Sequence, residues 1–542
     1  MSRALNLPGA QLFRGAPAAE ADGPSAPAAG DGASTQPHGV ATAAGAKAVA
    51  EEATAFAVIP LVARLCEELR AEGVRYCHWK SNWRLQRWLS GEGDLDLLVE
   101  RADAGRFGET IARLGFKLAL PTSDRQLPGV LDYYGFDAEA GRLVHLHVHQ
   151  RLVLGHDLTK NFHLPIERPY LEASIEQGPL RVPAPEFELI IFVLRMILKH
   201  APGEAALRKL LRRGGGSAIR RELEFLEARA NREAVRGLLR QHLPFIDADF
   251  FDECVRSLRD GRGRFRVRLG LERRLRAHAR RPQGSDVLTK LWRRVSRTAR
   301  ERVLKQSSRK RPAGGGSVIA LVGGDGAGKT TSANGLHRWL SKKFVVKRFH
   351  LGKPPRSPFT LAALVALKTR SVLTGHREAE TWAPHLVGQD DARPFPGYIR
   401  LFRWVCAARD RHRLYVRVRR FADRGGIAIC DRYPVEQLLL MDGPNIARAV
   451  APARMNRVVR LMLRAETSYY ERIMPPDMLF VLRVEPETAV RRKTSENETH
   501  VRTRSRELWE QDWRGTRAHV IDAGRPAAEV VARLQSIVWE EL

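Results

Sequence analysis

The chain has 542 residues, 44% of them hydrophobic and 28% charged, with a net charge of +30. That length suits roughly two to four domains with sizeable cores, and the composition excludes a fibrous or wholly disordered chain. The charge says nothing about fold but points to anionic partners: nucleotides, nucleic acid or an acidic membrane face. Five scattered cysteines (Cys66, Cys77, Cys254, Cys406, Cys430) form no C-x-x-C pair and no metal-ligand spacing. They exclude a disulfide framework and imply a reducing compartment.

The first thirteen residues lack the apolar centre of a secretory leader. The longest apolar stretches, Leu189–Leu194 and Phe359–Leu367, fall short of the ~18 residues of a spanning helix. The expected location is cytoplasmic, with contact at the membrane periphery left open by the charge. Residues 1–52 are rich in Ala, Gly and Pro and poor in large apolar side chains, so disorder is expected there. A helical pattern starts near Ala55, with Val58, Leu61, Val62, Leu65 and Leu69 at helix spacing. Strand-like runs follow at Leu95–Val99 and Leu143–Val148, then an amphipathic helix across Glu186–Lys199. Residues 53–200 therefore read as one α+β domain.

Within it, Lys80-Ser81-Asn82 precedes Gly93-Asp94-Leu95-Asp96. Period-two geometry puts Asp94 and Asp96 on one face of a strand. This pattern resembles the nucleotidyltransferase superfamily, and the resemblance implies that both carboxylates hold a metal that orients a nucleoside triphosphate. The family draws a third carboxylate from a later strand, where this chain has His145, His147 and His149. Those imidazoles suit zinc or manganese; the alternative is a histidine ladder in a domain that has lost turnover.

Residues 201–316 read as a helical annex followed by a basic connector. Gly261–Arg311 holds nineteen Lys/Arg against Glu272, Asp286 and Glu301, a net +16. Apolar residues at helical spacing among these arginines describe a basic amphipathic helix, suited to an anionic membrane or nucleic acid contact through residues 261–311, or to a solvated connector. A homodimer stays open as a further partnership. Gly314-Gly315-Gly316 then marks a domain boundary.

From Ser317 the pattern changes. Val318–Val322 is a continuous apolar run of the kind that forms a buried parallel strand. It enters Gly323-Gly324-Asp325-Gly326-Ala327-Gly328-Lys329-Thr330, which fits G-x-x-x-x-G-K-[ST], and Thr331–Lys342 reads as the following helix. Glycines let successive N–H groups face phosphates, and the helix N-terminus adds partial positive charge. Lys329 is expected on the β/γ phosphates of ATP and Thr330 on Mg²⁺. Gly425–Cys430 is a second apolar run ending in Asp431, a candidate Mg²⁺ carboxylate at the carboxyl end of a neighbouring strand.

Gly323 to Thr331, with Asp410-Arg411, Asp431-Arg432-Tyr433, Pro476–Pro486 and Val520–Ala523 in the same order, resembles a thymidylate kinase over 317–542. The resemblance implies an α/β fold: a P-loop NTPase three-layer parallel-sheet kinase domain, here preceded by the nucleotidyltransferase-like α+β domain and a basic helical connector. It implies Asp325 on the acceptor's sugar, Arg411 on its base or phosphate side and Arg432 on its phosphate. Arg491 and Arg492 stand where the family's lid begins, and the sequence does not choose between them. The acceptor side departs from the family: His350–Pro355 replaces Arg-Glu-Pro, leaving Lys353 as its point charge, and Pro434-Val435-Glu436-Gln437 replaces the pattern after the tyrosine. The expected reaction is transfer of the ATP γ-phosphoryl group to a nucleoside monophosphate or a related phosphorylated acceptor. The alternatives are a bifunctional kinase and nucleotidyltransferase, or a nucleotide-binding regulatory protein at the membrane.

Overall fold

The computed structural model describes residues 57–127, 129–199, 215–305, 307–374, 395–438, 443–494 and 496–542. The segment expected to be disordered, the start of the helical annex and residues 375–394 lie outside them. The chain divides into two compact units: residues up to Leu114 with Leu143–Asp286, and Gly115–Arg142 with Val287–Leu542.

The first unit opens with the helix Pro60–Ala71, whose Leu61, Val62, Leu65, Cys66 and Leu69 are all buried, as their three-and-four spacing demands. Strands β1 (Tyr76–His78) and β2 (Asp94–Val99) pair antiparallel. Next in the chain come β3 (Lys117–Leu120) and β4 (Val130–Asp137), which belong to the second unit. Strand β5 (Arg142–His149) then runs parallel to β2, with Asp94 opposite His145 and Asp96 opposite His147. Two short hairpins follow, β6 (Leu152–Leu154) with β7 (Phe162–Leu164) and β8 (Ile175–Gln177) with β9 (Leu180–Val182).

The helix Pro185–Lys199 is buried at every position from Phe187 to Leu198, which makes it the centre of the core rather than a surface helix. Helices Gly215–Arg229, Arg232–His242, Ala248–Asp260 and Arg264–Arg274 supply the other walls of that core. The basic segment is therefore not one amphipathic helix. Its first part, Arg264–Arg274, buries Val267 and Leu271, and Leu275 follows them inside. Its later helix, Gln283–Thr298, leaves Val287, Leu288, Leu291, Trp292 and Val295 exposed.

The second unit is built on five parallel strands that follow β10 (Arg311–Pro312). These are β11 (Ser317–Gly323), β12 (Val346–His350), β13 (Ile427–Asp431), β14 (Met478–Arg483) and β15 (Ala518–Asp522), in the order β12-β13-β11-β14-β15. Strand β11 is central and fully buried beyond Ser317, and its alternate residues Val318, Ala320 and Val322 pack with Leu414, Tyr415 and Val418 of the long helix Tyr398–Asp423. With β13 on one side of β11 and β14 on the other, the chain order reverses at β11. In parallel sheets such a switch opens a crevice at the carboxyl ends of the strands.

The antiparallel ribbon β10-β3-β4 belongs to this unit. Tyr134 meets Phe344 edge-on at 5.2 Å, Phe136 meets Trp339 at 4.9 Å, and the Trp539 indole N–H donates to the Gly115 carbonyl at 3.0 Å. Five free cysteines are buried in the two units, and among the described residues no helix is long and apolar enough to cross a membrane.

Candidate active site

The loop Gly323–Gly328 joins β11 to the helix Lys329–Leu340, so the residues expected to cradle phosphates sit between a buried strand and a helix N-terminus. Two of its glycines are required by space. A Cβ on Gly324 would lie 2.6 Å from the Ser505 hydroxyl, and one on Gly326 would lie 2.9 Å from the Ala489 carbonyl at a φ of +79°. The backbone thus passes where no side chain fits, leaving its N–H groups to face a ligand. Lys329 is buried and donates to the carbonyls of Gly323 at 2.8 Å and Gly324 at 2.6 Å. Ala327 is buried behind the loop, while Thr330 and Thr331 open the helix exposed to solvent.

Asp431 ends β13 in register with Leu321 of β11, one strand over from the loop. It is buried, and its Oδ1 has no hydrogen-bond partner. An orphaned buried carboxylate oxygen fits a cation, so Asp431 and the exposed Thr330 hydroxyl suit the Mg²⁺ assigned to them.

The next residue, Arg432, has a φ of +56°, a left-handed conformation costly for a branchless but bulky side chain. A Cβ on Gly352 would come within 2.7 Å of the Arg432 side chain, so the turn after β12 needs a glycine to let it pass. The guanidinium reaches Asp325 Oδ1 at 3.2 Å, and the second oxygen, Oδ2, accepts from Arg504 at 2.9 Å. Burial alone would raise the Asp325 carboxyl. The Arg504 hydrogen bond, with the charges of Lys329 and Arg432, holds it below the usual range. Asp325 therefore joins the phosphate loop, β13 and the helix Glu498–Glu510 that carries Arg504.

Arg504 and Ser505 are the residues that sequence reasoning missed. The Ser505 hydroxyl is buried against the loop with no hydrogen-bond partner. The only available signal was their place on the helix after the lid position, hidden among arginines. Of the lid candidates, Arg491 donates to Thr488 at 2.9 Å, whereas Arg492 donates to the carbonyls of Ala523 and Gly524 at 2.7 and 3.0 Å. Arg411 is buried, bonding the Leu351 carbonyl at 2.9 Å and the Tyr470 hydroxyl. Its neighbour Asp410 accepts from the Ser357 N–H at 2.9 Å and the Thr360 hydroxyl at 2.6 Å, so this pair fixes the stretch from Leu351 to Thr360 that follows β12. Lys353 lines a cleft of about 600 Å³ together with Lys347, Arg348, Arg417, Arg420 and Arg424. Among the described residues, no carboxylate lines that cleft.

In the first unit, Asp94 Oδ1 and His145 Nδ1 are 2.6 Å apart, and Asp96 Oδ1 and His147 Nδ1 are 2.8 Å apart. The parallel register of β2 and β5 makes this one-to-one pairing. Asp94 is half exposed. Among the described residues, Asp96, His147 and His149 bring one ligand atom each within 4.8 Å of one another. Asp96 Oδ1 also receives Lys80 Nζ at 2.7 Å. Burial would raise the Asp96 carboxyl, but the Lys80 charge and the His147 hydrogen bond hold it well below the usual carboxylate range.

No family model matches the chain. It is similar to the uncharacterized ATP-binding protein YghR of Escherichia coli K12, with 23% identity over 239 residues, 41% of this chain and 86% of that protein. The same protein from E. coli O6:H1 matches equally. Among solved structures, the deoxyadenosine kinase of M. mycoides with bound dATP matches at 16% identity over 41% of this chain and 98% of its own, with a TM-score of 0.26.

Proposed function

We propose that the second unit is an ATP-dependent phosphotransferase that passes the γ-phosphoryl group to a phosphorylated acceptor, a nucleoside monophosphate such as dTMP or a close relative. The observation that carries the reading is the buried, unpartnered Asp431 oxygen one strand from a phosphate loop that only glycines can build. The ATP-binding description of the E. coli relative supports the donor. Mg²⁺, held by Thr330 and Asp431, would neutralise charge on the phosphates. The chain's own residues do the rest by position and charge. The loop N–H groups and Lys329 hold the donor phosphates, Arg432 holds the acceptor phosphate, and Asp325 fixes Arg432 and Arg504 on either side of it. A pure nucleotide switch has no need of two arginines braced on a buried carboxylate.

The test is ATP turnover with Mg²⁺ and a panel of nucleoside monophosphates and phosphorylated sugars. Lys329→Ala is expected to abolish turnover while the circular dichroism spectrum is unchanged. Turnover that survives in that variant would place the activity elsewhere.

A second reading concerns partners. Val287, Leu288, Leu291, Trp292 and Val295 recur at i, i+1, i+4, i+5 and i+8 on the helix Gln283–Thr298, and each is more than half exposed. Such a stripe, in a segment of net +16, suits an anionic membrane surface, with the apolar face entering the headgroup boundary and the arginines meeting lipid phosphates. We propose that this helix docks the protein on acidic lipid.

A further inference from the structure

The helix Tyr398–Asp423 carries a charged stripe that the phosphate loop does not use. Arg413, Arg417 and Arg420 recur at i, i+4 and i+7 along it, and Arg424 follows at i+11 as its C-terminal cap. That spacing puts all four on one face, and a rise of ~1.5 Å per residue makes the stripe about 16 Å long. All four are exposed, and among the described residues none of them stands in an ion pair. Arg419, on the other side of the helix, is by contrast held by Asp477 at 2.8 Å.

The stripe is one wall of a groove. The cleft of about 600 Å³ that holds Lys353 also contains Arg417, Arg420 and Arg424, with Lys347 from β12. A second cleft, of about 530 Å³, meets it at Pro355, Arg417 and Arg420 and continues to Arg413. Lys347 and Lys353 are exposed, and among the described residues they too lack a carboxylate partner. Asp410, which lines the second cleft, is already taken by the Ser357 N–H and the Thr360 hydroxyl. Neither the loop Gly323–Gly328 nor Asp431 nor Arg432 lines either cleft.

Like charges three and four apart on a helix repel, so the stripe works against the folded chain. The helix dipole favours cations at this end by about 0.3–1 kcal/mol. That accounts for Arg420 and Arg424 but not for Arg413 in mid-helix, nor for the lysines across the groove. Six cations facing one groove without a counter-charge suit a linear polyanion. Their density selects among polyanions. Six charges along about 16 Å is roughly one every 3 Å. An extended acidic peptide turns a side chain to one face only every ~7 Å. Single-stranded nucleic acid asks for aromatic platforms on which bases stack, whereas the two rings here, Phe349 and Phe421, are half-buried and meet each other edge-on at 5.8 Å. In a polyphosphate a single bridging oxygen separates the charged centres, the closest spacing of the three, and guanidinium forks match the paired oxygens on each centre. We infer that this groove is a binding site for a linear inorganic polyphosphate chain, laid along the helix Tyr398–Asp423 and separate from the phosphate loop.

The experiment is calorimetric titration of the full chain with short-chain inorganic polyphosphate in metal-free buffer. It is run in a Lys329→Ala background, so that the phosphate loop does not carry the signal. Binding is expected there. It should weaken at least about tenfold in Arg417→Gln with Arg420→Gln, the scale of two exposed charge contacts. The slope of log affinity against log salt should also shrink by about 1–2 in that variant. Both side chains are exposed, so the fold should tolerate the change. Arg266→Gln with Arg273→Gln removes the same charge from exposed positions of the first unit and should leave binding unchanged. Oligothymidylate and polyglutamate of equal total charge should bind more weakly. Absence of binding, or equal loss in the two double variants, would overturn the assignment. So would oligothymidylate or polyglutamate binding as tightly as polyphosphate, which would give the groove to nucleic acid or to an acidic protein. Binding seen in the native chain but lost in Lys329→Ala would place the polyphosphate in the phosphate loop and overturn it equally. None of these outcomes decides whether the second unit turns over ATP.

Discussion

Asp325 shows how one side chain links three parts of the proposed kinase site. Its two oxygens are divided between Arg432 and Arg504, so loss of either arginine leaves a buried charge half neutralised. Arg504→Gln is expected to lower kcat by at least about tenfold with little change in ATP affinity, as for loss of one charge-stabilising donor. Equal loss of ATP affinity would put Arg504 on the donor instead. In the other unit, Glu188 gives a pH signature. Burial pushes its carboxyl up to about 7, against the pull of hydrogen bonds from the Asn82 side chain and from the Asn82 backbone N–H at 3.1 Å. Between its ordinary value of 4.5 and 7 the folded chain keeps a proton that the unfolded chain has released, so stability falls as pH rises through that window. Glu188→Gln should remove this slope. It should gain on the native chain by up to about 3 kcal/mol at neutral pH and by nothing in acid. Parallel plots of melting temperature against pH for the two chains would contradict it.

At the scale of elements, the helix Glu498–Glu510 decides whether Arg504 reaches the loop. Its start is capped by Asn497, whose Oδ1 accepts from the His500 N–H at 3.3 Å. Asn497→Ala should cost about 1 kcal/mol locally. Faster amide exchange over the first turn and a reduced kcat are expected, with global melting nearly unchanged; unaltered exchange would show that the cap is idle. The strands and helices near this site were legible because each has a local cause. Val318–Val322 is apolar throughout, the loop needs glycines, and the helix starting at Pro60 follows its apolar spacing; the helix Pro185–Lys199 was legible as a helix but not as one buried on every face. What stayed hidden has no local cause. Arg504 looks like any arginine on a basic helix until Asp325 is seen opposite it. The burial of Val267, Leu271 and Leu275 turns a stretch that reads as a surface helix into core, because the deciding neighbours, on the helix Pro185–Lys199, are distant in sequence. The Lys80–Asp96 pair was equally invisible, since Asp-x-Asp reads the same whether a metal or an ammonium faces it.

For the molecule as a whole, charge is the dominant property, and composition gave it directly while leaving its placement open. Docking through Val287–Val295 predicts binding to vesicles containing phosphatidylglycerol but not to phosphatidylcholine alone, weakening as salt rises. Leu288→Glu with Trp292→Glu should reduce that binding by more than about tenfold without altering ATP turnover. Equal binding to both vesicle types, or salt-sensitive binding to duplex DNA that ignores these substitutions, would assign the charge to another partner.

The ribbon of β3 and β4 sets a different demand, on the order of synthesis. Residues 115–142 leave the ribosome between the two halves of the first unit, yet Trp339 and Phe344, whose rings meet Phe136 and Tyr134, and Trp539, bonded to Gly115, come about 200 or more residues later, on the order of 10–40 s or longer at ordinary elongation rates. During that interval Tyr134 and Phe136 must wait without their native cover while the chain on either side of them can already fold. For that interval the nascent chain carries these aromatic side chains without the rings that later meet them. The ribbon's placement also means that a chain begun at Ser317 would lack a structural part of the unit it was meant to contain.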